Sequence, residues 1–307
     1  MRHRFLTCCL LLLAPFAAQA LEVCDIPPRY GVGETAKAIV RTACNEHRLW
    51  FRPFIDGNGR IASLAVTEAE SDSLADDGLP TWQRVAGYWR ESGTLPAMGA
   101  FPGAQSCQTP TGERMADNDC RAFLLDNPWS AAFISWVMVR ANVPGFARSP
   151  RHIDYIRAAH RGGKAAAPYR LADPAQEKPA PGDLLCFLRE RNRPLSHAGL
   201  VQALETGNAD RWKSHCEVVV AGNVGGDRTL YLIGGNVANA VVMRKLSLDR
   251  SGRLALPAPA ESAPEAAWVD AGCSPGREAA CDFNRQDWVA LLKLEEVGPS
   301  EPEPQPE

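Results

Sequence analysis

No C-x-x-C pair occurs in the 307 residues, and the six histidines are scattered. Both facts argue against a structural zinc site, which needs clustered thiolate and imidazole ligands. There is no basic block either. Lys and Arg number 33 against 36 Asp and Glu, for a formal net charge of −3, so the electrostatic footprint of a nucleic-acid binder is missing. After the first twenty residues no apolar run is long enough to span a bilayer. No internal repeat is present, which sets solenoids and propellers aside. What remains is a globular composition. A hydrophobic fraction of 45% suffices for a core, in one large domain or two small ones.

The N-terminus has the three parts of a secretory signal. Arg2 and Arg4 are the charged region, Phe5 to Phe16 the apolar one, and Ala18-Gln19-Ala20 an A-x-A cleavage site. Cleavage would leave Leu21 first and no stable membrane insertion. The expected location is the bacterial periplasm or the extracellular space. Cysteine usage agrees. Cys8 and Cys9 would leave with the signal, and an even set remains: Cys24, Cys44, Cys107, Cys120, Cys186, Cys216, Cys273 and Cys281. In an oxidising compartment this implies four disulfides. Pairing of sequence neighbours gives 24–44, 107–120, 186–216 and 273–281.

Four segments follow from composition: a signal over 1–20, a mainly helical extension and connection over 21–118, an α+β domain over 119–297, and a disordered acidic, Pro-rich tail over 298–307. A helix is expected from Glu34, with apolar positions at Ala36, Ile39, Val40 and Ala43. Thr81 would cap a second helix lined by Trp82, Val85, Ala86 and Trp89. Residues 92–118 read as a Gly- and Pro-rich connection. Ser149-Pro150 signals another helix start, and 161–181 reads as a loop. The period then changes to that of strands at Asp183–Leu188, Cys216–Ala221, Thr229–Ile233 and Ala240–Lys245, with Trp288–Leu294 closing the domain.

The stretch that organises this pattern is PWSAAFISWVM, Pro128 to Met138. Asn127 is expected as N-cap and Pro128 as the first helical residue. Ser130 then falls in the first turn, where unpaired backbone N–H groups and the helix dipole favour developing negative charge. On its own such a Ser is more often simply a residue of a capping turn.

Two resemblances bear on function. Arg52 to Arg60, RPFIDGNGR, resembles the Fic-family signature H-P-F-x-D-G-N-G-R, which implies nucleotidyl transfer. Arg52 replaces that family's catalytic His, and little chain precedes it. The plainer expectation is a turn between two short strands, with Gly57, Asn58 and Gly59 at positive φ. The second resemblance is broader. PWSAAFISWVM resembles the nucleophile helix of CHAP and NlpC/P60 cell-wall hydrolases. Pro181-Gly182-Asp183-Leu184-Leu185 resembles their P-G-D strand, His215 with CEVVVAG their G-H-V-x-I-V strand, and Gly234-Gly235-Asn236 the G-G-N of one CHAP-like branch. With Trp82-Gln83-Arg84-Val85 and Tyr88-Trp89 upstream, the chain is similar to the DUF2272 family, allied to these papain-like enzymes.

That resemblance implies a papain-like helix packed on a small antiparallel sheet, preceded by the helical extension. It implies Ser130 as nucleophile, His215 as base and Asn236 as the group that orients the ring, with no cofactor or metal. His197, in SHAGLV, also fits the base pattern; His215 is preferred because the segment after it is more strand-like. His152, in a helix first turn, is a candidate for the cleft wall, with the surface as the preferred expectation; His47 and His160 are expected at the surface. The related enzymes carry Cys where this chain has Ser130, and a hydroxyl needs a base during attack far more than a thiol does. The expected function is therefore an exported amide hydrolase acting on peptidoglycan peptides through Ser130, His215 and Asn236. The rival is a non-catalytic envelope protein that binds peptidoglycan or a partner peptide in the same cleft. Neither reading involves nucleic acid.

Overall fold

The structure is a computed structural model that describes residues 22–27, 31–70, 72–75, 78–109, 112–162, 167–189, 195–255, 274–276 and 281–295. The expected signal and the acidic tail lie outside these residues. Among those described are six α-helices and eight strands, an α+β arrangement. The sheet is larger than the sequence suggested, and it is mixed. Its order is β2-β1-β7-β6-β5-β4-β8-β3.

The helices are α1 (Glu34–Leu49), α2 (Thr81–Glu91), α3 (Arg114–Asp126), α4 (Ser130–Arg140), α5 (His152–Arg161) and α6 (His197–Thr206). The strands are β1 (Phe54–Ile55), β2 (Ile61–Ala62), β3 (Tyr169–Ala172), β4 (Leu184–Leu188), β5 (Ser214–Gly222), β6 (Thr229–Val237), β7 (Ala240–Ser247) and β8 (Asp287–Leu294). Neighbouring strands run antiparallel except β1 and β7, which are parallel. The extension before residue 119 is thus not confined to helices: β1 and β2 extend the sheet beyond β7. One apolar core runs from Ile39 to Leu292, and a smaller cluster around Phe187, Leu232, Trp288 and Leu291 forms a second one.

α4 lies at the centre. From Ser130 to Met138 every residue is buried, as expected for a helix that is apolar on all sides. It packs on α1 and α2 on one side and on β5 and β6 on the other. An aromatic cluster fixes its first turns. Trp129 stacks on Trp50 and Tyr88, and Tyr88 meets Phe133 and Trp136 edge-on. Behind it, the buried carboxylate of Glu46 accepts from Arg84 Nε at 2.6 Å and from the Tyr88 hydroxyl, which in turn accepts from Trp50 Nε1 at 2.9 Å. A buried charge needs such partners to be tolerated.

Several local expectations are corrected. Asn127 is not the cap of α4 but the C-cap of α3; the N-cap of α4 is Trp129, and Ser130 is its first residue. Thr81 is the first residue of α2, and its hydroxyl donates to Glu70 O rather than capping. α3 and two short 3-10 helices occupy the presumed connection, and β3 lies within the presumed loop. Residues 54–62 do form the expected turn between short strands, but only Gly59 has a positive φ there, with Asp282 against it. Asp56 Oδ1 accepts from the N–H groups of Asn58 and Arg60, so those amides are committed within the turn. Arg52 pairs with Glu22.

Disulfides join Cys24–Cys44, Cys107–Cys120 and Cys186–Cys216, as paired from sequence. Cys281 is also disulfide-bonded; Cys273 lies outside the described residues. Among the described residues no helix is long and apolar enough to cross a membrane.

Candidate active site

The Pro181-Gly182-Asp183 motif is structural. Gly182 has φ +91 and lies so close to Ala36 and Leu294 that a Cβ would clash. The buried Asp183 carboxylate accepts from Ala180 N at 2.7 Å and Leu294 N at 2.9 Å. It ties the start of β4 to the end of β8, while Gly182 N–H donating to Val219 O at 2.9 Å and Val219 N–H donating to Asp183 O at 2.8 Å align β4 with β5. Cys186 faces Cys216 and Phe187 faces His215. With Cys216 in the disulfide, strand alternation puts His215 and Glu217 together on the other face of β5.

The Gly234-Gly235 pair allows β6 to come close on both sides. A Cβ on Gly234 would lie 2.7 Å from Glu217 Cγ, and one on Gly235 would lie 2.5 Å from Phe133 Cγ. Gly235→Ala should therefore destabilise the fold by about 1–3 kcal/mol through overpacking. A chemical-denaturation midpoint equal to that of wild type would refute the tight contact.

Asn236 follows in the left-handed region, φ 54, at a register shift between β6 and β7. Asn tolerates that conformation better than most residues. Oriented to satisfy both neighbours, its amide accepts from Trp129 N–H at 3.1 Å and donates to Glu68 Oε2 at 3.2 Å. Glu68 also accepts from Trp129 Nε1 at 2.6 Å. Asn236 thus anchors the residue before α4. It supplies from β6 the backbone capping that Asn127 was expected to give, and no histidine ring is among its partners.

Ser130 and His215 do belong to one cluster, but they are not bonded to each other. The partner of Ser130 is His152: Oγ lies 2.8 Å from Nε2. His152 is buried, not at the surface, and its ring meets Tyr155 edge-on and packs against His215 with centroids 5.1 Å apart. His152 shares a helical stripe with Tyr155, Ile156 and Ala159, all buried. That spacing was a readable sign that the ring faces inward. His47 is likewise buried and bonds Pro53 O at 2.8 Å, whereas His160 is half-buried. His197 lies on α6, a helix capped by Ser196, and bonds Val289 O. It has no part in the cluster.

His215 is fully buried. Its Nδ1 accepts from Arg189 at 3.4 Å, which puts the ring proton on Nε2, 3.4 Å from Glu217 Oε1. Glu217 accepts from Arg244 Nε at 2.9 and 3.0 Å and from Nη2 at 3.0 Å. Burial would raise the Glu217 carboxyl, but Arg244 and His215 outweigh it and hold it at about 2. Burial pushes His215 down to about 4, only partly offset by Glu217. Burial also holds His152 well below its ordinary value, with His215 and Arg189 acting in the same direction. Both rings are neutral at pH 7, so His152 Nε2 can accept the Ser130 proton when its own proton sits on Nδ1. No described residue accepts a hydrogen bond from that Nδ1.

The profile of a family described as an uncharacterized protein conserved in bacteria, DUF2272, matches residues 76–294. The chain belongs to the DUF2272 family. No curated protein and no solved structure matches. The DUF2272 match covers α2 to β8, and with them Ser130, His152, Arg189, His215, Glu217, Asn236 and Arg244.

Proposed function

We propose that this DUF2272 protein is an exported amide hydrolase with Ser130 as nucleophile and His152 as base, acting on peptidoglycan peptides. The carrying observation is the 2.8 Å approach of Ser130 Oγ to His152 Nε2 at the first turn of a buried helix. The first intrahelical bond runs from Phe133 N to Trp129 O, so the N–H groups of Ser130 and Ala131 have no helical acceptor. In this reading they receive the oxyanion. In the proposed reaction Ser130 Oγ bonds to the carbonyl carbon as its proton passes to His152 Nε2. Collapse breaks the C–N bond, and His152 returns the proton to the leaving amine. Water then releases the acyl group by the same base. The His215 ring, which faces Glu217, packs against His152 and positions it from behind. A helix packed on β5 and β6 supports a papain-like reading of the fold, and the disulfides support export.

The test is muropeptide release by wild type, Ser130→Ala and His152→Ala. Each variant is expected to lose about 10³-fold or more. Equal release by all three sinks the assignment.

A second reading, binding without turnover, is favoured by two observations. Ser130 is only 6% exposed, and nothing among the described residues holds the Nδ1 proton of His152, as the third member of a triad would. Glu217, the anion of this cluster, is already committed to Arg244. Under this reading wild type binds muropeptides without cleaving them, and Ser130→Cys gains activity.

A further inference from the structure

About 17 Å along β5 from His215, by the rise of a strand, the other end of that strand opens into a groove of about 980 Å³. It contains no residue of the Ser130 cluster. One wall is the segment Val23–Asp25, fixed to α1 by the Cys24–Cys44 disulfide and by Arg48, which donates to Cys24 O at 2.6 Å and to Asp25 Oδ1 at 2.8 Å. Val40, Val220, Leu248 and Pro181 contribute apolar surface to it.

Four exposed cations line this groove: Arg41, Lys178, Arg228 and Arg250. Each comes from a different segment: α1, the connection before β4, the β5–β6 turn and the turn after β7. None of their side-chain nitrogens has a salt-bridge or hydrogen-bond partner among the described residues. Of the two acids on the walls, one is paired and the other keeps its charge but is turned into its own loop. Asp25 is held by Arg48, and Asp249 accepts from the N–H groups of Ser251 and Arg253 within its own turn. Arg228 sits at φ 51 at the end of the tight β5–β6 turn, where its N–H donates to Asn223 Oδ1 at 3.0 Å.

We propose that this groove binds an extended acidic peptide segment, with carboxylates on the cationic rim and aliphatic or proline side chains on the apolar floor. Charges spread over four segments suit groups spaced along a chain, whereas a single phosphate requires donors that converge on one point. A peptide of alternating carboxylate and apolar residues matches both the rim and the floor. The site is independent of the Ser130 reading and stands whether or not that site turns over.

The probe is a fluorescein-labelled peptide of alternating Glu and Pro, titrated into the full-length protein and followed by anisotropy. Saturable binding is expected, weakening as salt is raised. The double variant Arg41→Glu/Arg250→Glu should bind about tenfold or more weakly, with Arg228→Gln intermediate. These exposed side chains contribute nothing to the core, and an unchanged thermal midpoint confirms folding. Equal binding by wild type and the double variant overturns the proposal, as does equal binding of a Gln-Pro peptide. So does displacement of the peptide by inorganic polyphosphate at lower concentration than by unlabelled peptide, which would assign the groove to phosphate polymers.

Discussion

Arg244→Met is expected to cost about 3–5 kcal/mol, the loss seen when one partner of a buried ion pair is removed. Met keeps the aliphatic stem as far as the Nε position, so part of the loss is the space left by the guanidinium and the larger part is electrostatic. Glu217 is fully buried, and its charge is tolerated because Arg244 donates three hydrogen bonds to it. Without them the carboxylate must take up a proton or draw in water. Arg244 also donates to Asn284 Oδ1 at 3.1 Å and to Phe283 O, so the segment before β8 loosens too. Urea denaturation at pH 7 reads the loss. The double variant Glu217→Met/Arg244→Met should recover much of it, because an apolar pair of similar volume needs no charge compensation. A loss below about 1 kcal/mol for Arg244→Met, the scale of an exposed pair, would show that the carboxylate is solvated.

Acidification should destabilise the fold in two stages. His215 is held at about 4, below its ordinary 6.5. Between these values the unfolded chain binds the proton and the folded one does not. Stability is therefore intact above about 6.5 and declines as pH falls through that window, by about 1.4 kcal/mol per pH unit for one such group. His152 adds a loss of the same sign. Glu217 is also lowered, to about 2 from 4.5, because Arg244 and His215 outweigh the upward push of burial. Its contribution is present above 4.5 and is lost as pH falls toward 2. Urea midpoints at pH 7, 5 and 4 should fall steeply for wild type and less steeply for His215→Gln. Parallel curves would mean that the ring is not held neutral by burial.

The elements that were legible are those whose period is strong. α1 begins at Glu34 as expected, β4 to β7 lie on the four apolar runs read as strands, and β8 lies on the closing Trp288–Leu294 run. α3 was hidden because its polar residues, MADND, follow a Gly- and Pro-rich stretch and blunt the helical stripe. α6 was hidden because HAGLV satisfies a strand pattern as well as a helical one; what decides is Ser196, which caps it by accepting from Gly199 N. At the site, Ser130 at a helix start and His215 on a buried strand were readable, and so was a special role for Gly234-Gly235-Asn236. That role is to bring β6 against Phe133 and Glu217 and to cap α4. The pairing of Ser130 with His152 was not readable, because the two are joined only by the packing of α5 against the sheet. The parallel contact of β1 with β7 is non-local in the same way, and two-residue strands carry no period.

The burial of α4 on every side also has a kinetic meaning. A helix enclosed between helices and sheet can expose its amides only when most of the core opens, so its exchange with solvent should follow global unfolding. Ser130 is consequently carried by one of the slowest-opening parts of the molecule. α5 is different: it is buried on one stripe and partly exposed on the other. Any breathing that admits a ligand to Ser130 would begin with the element that carries His152, so the Ser130–His152 contact and access to it would be set by the same local equilibrium.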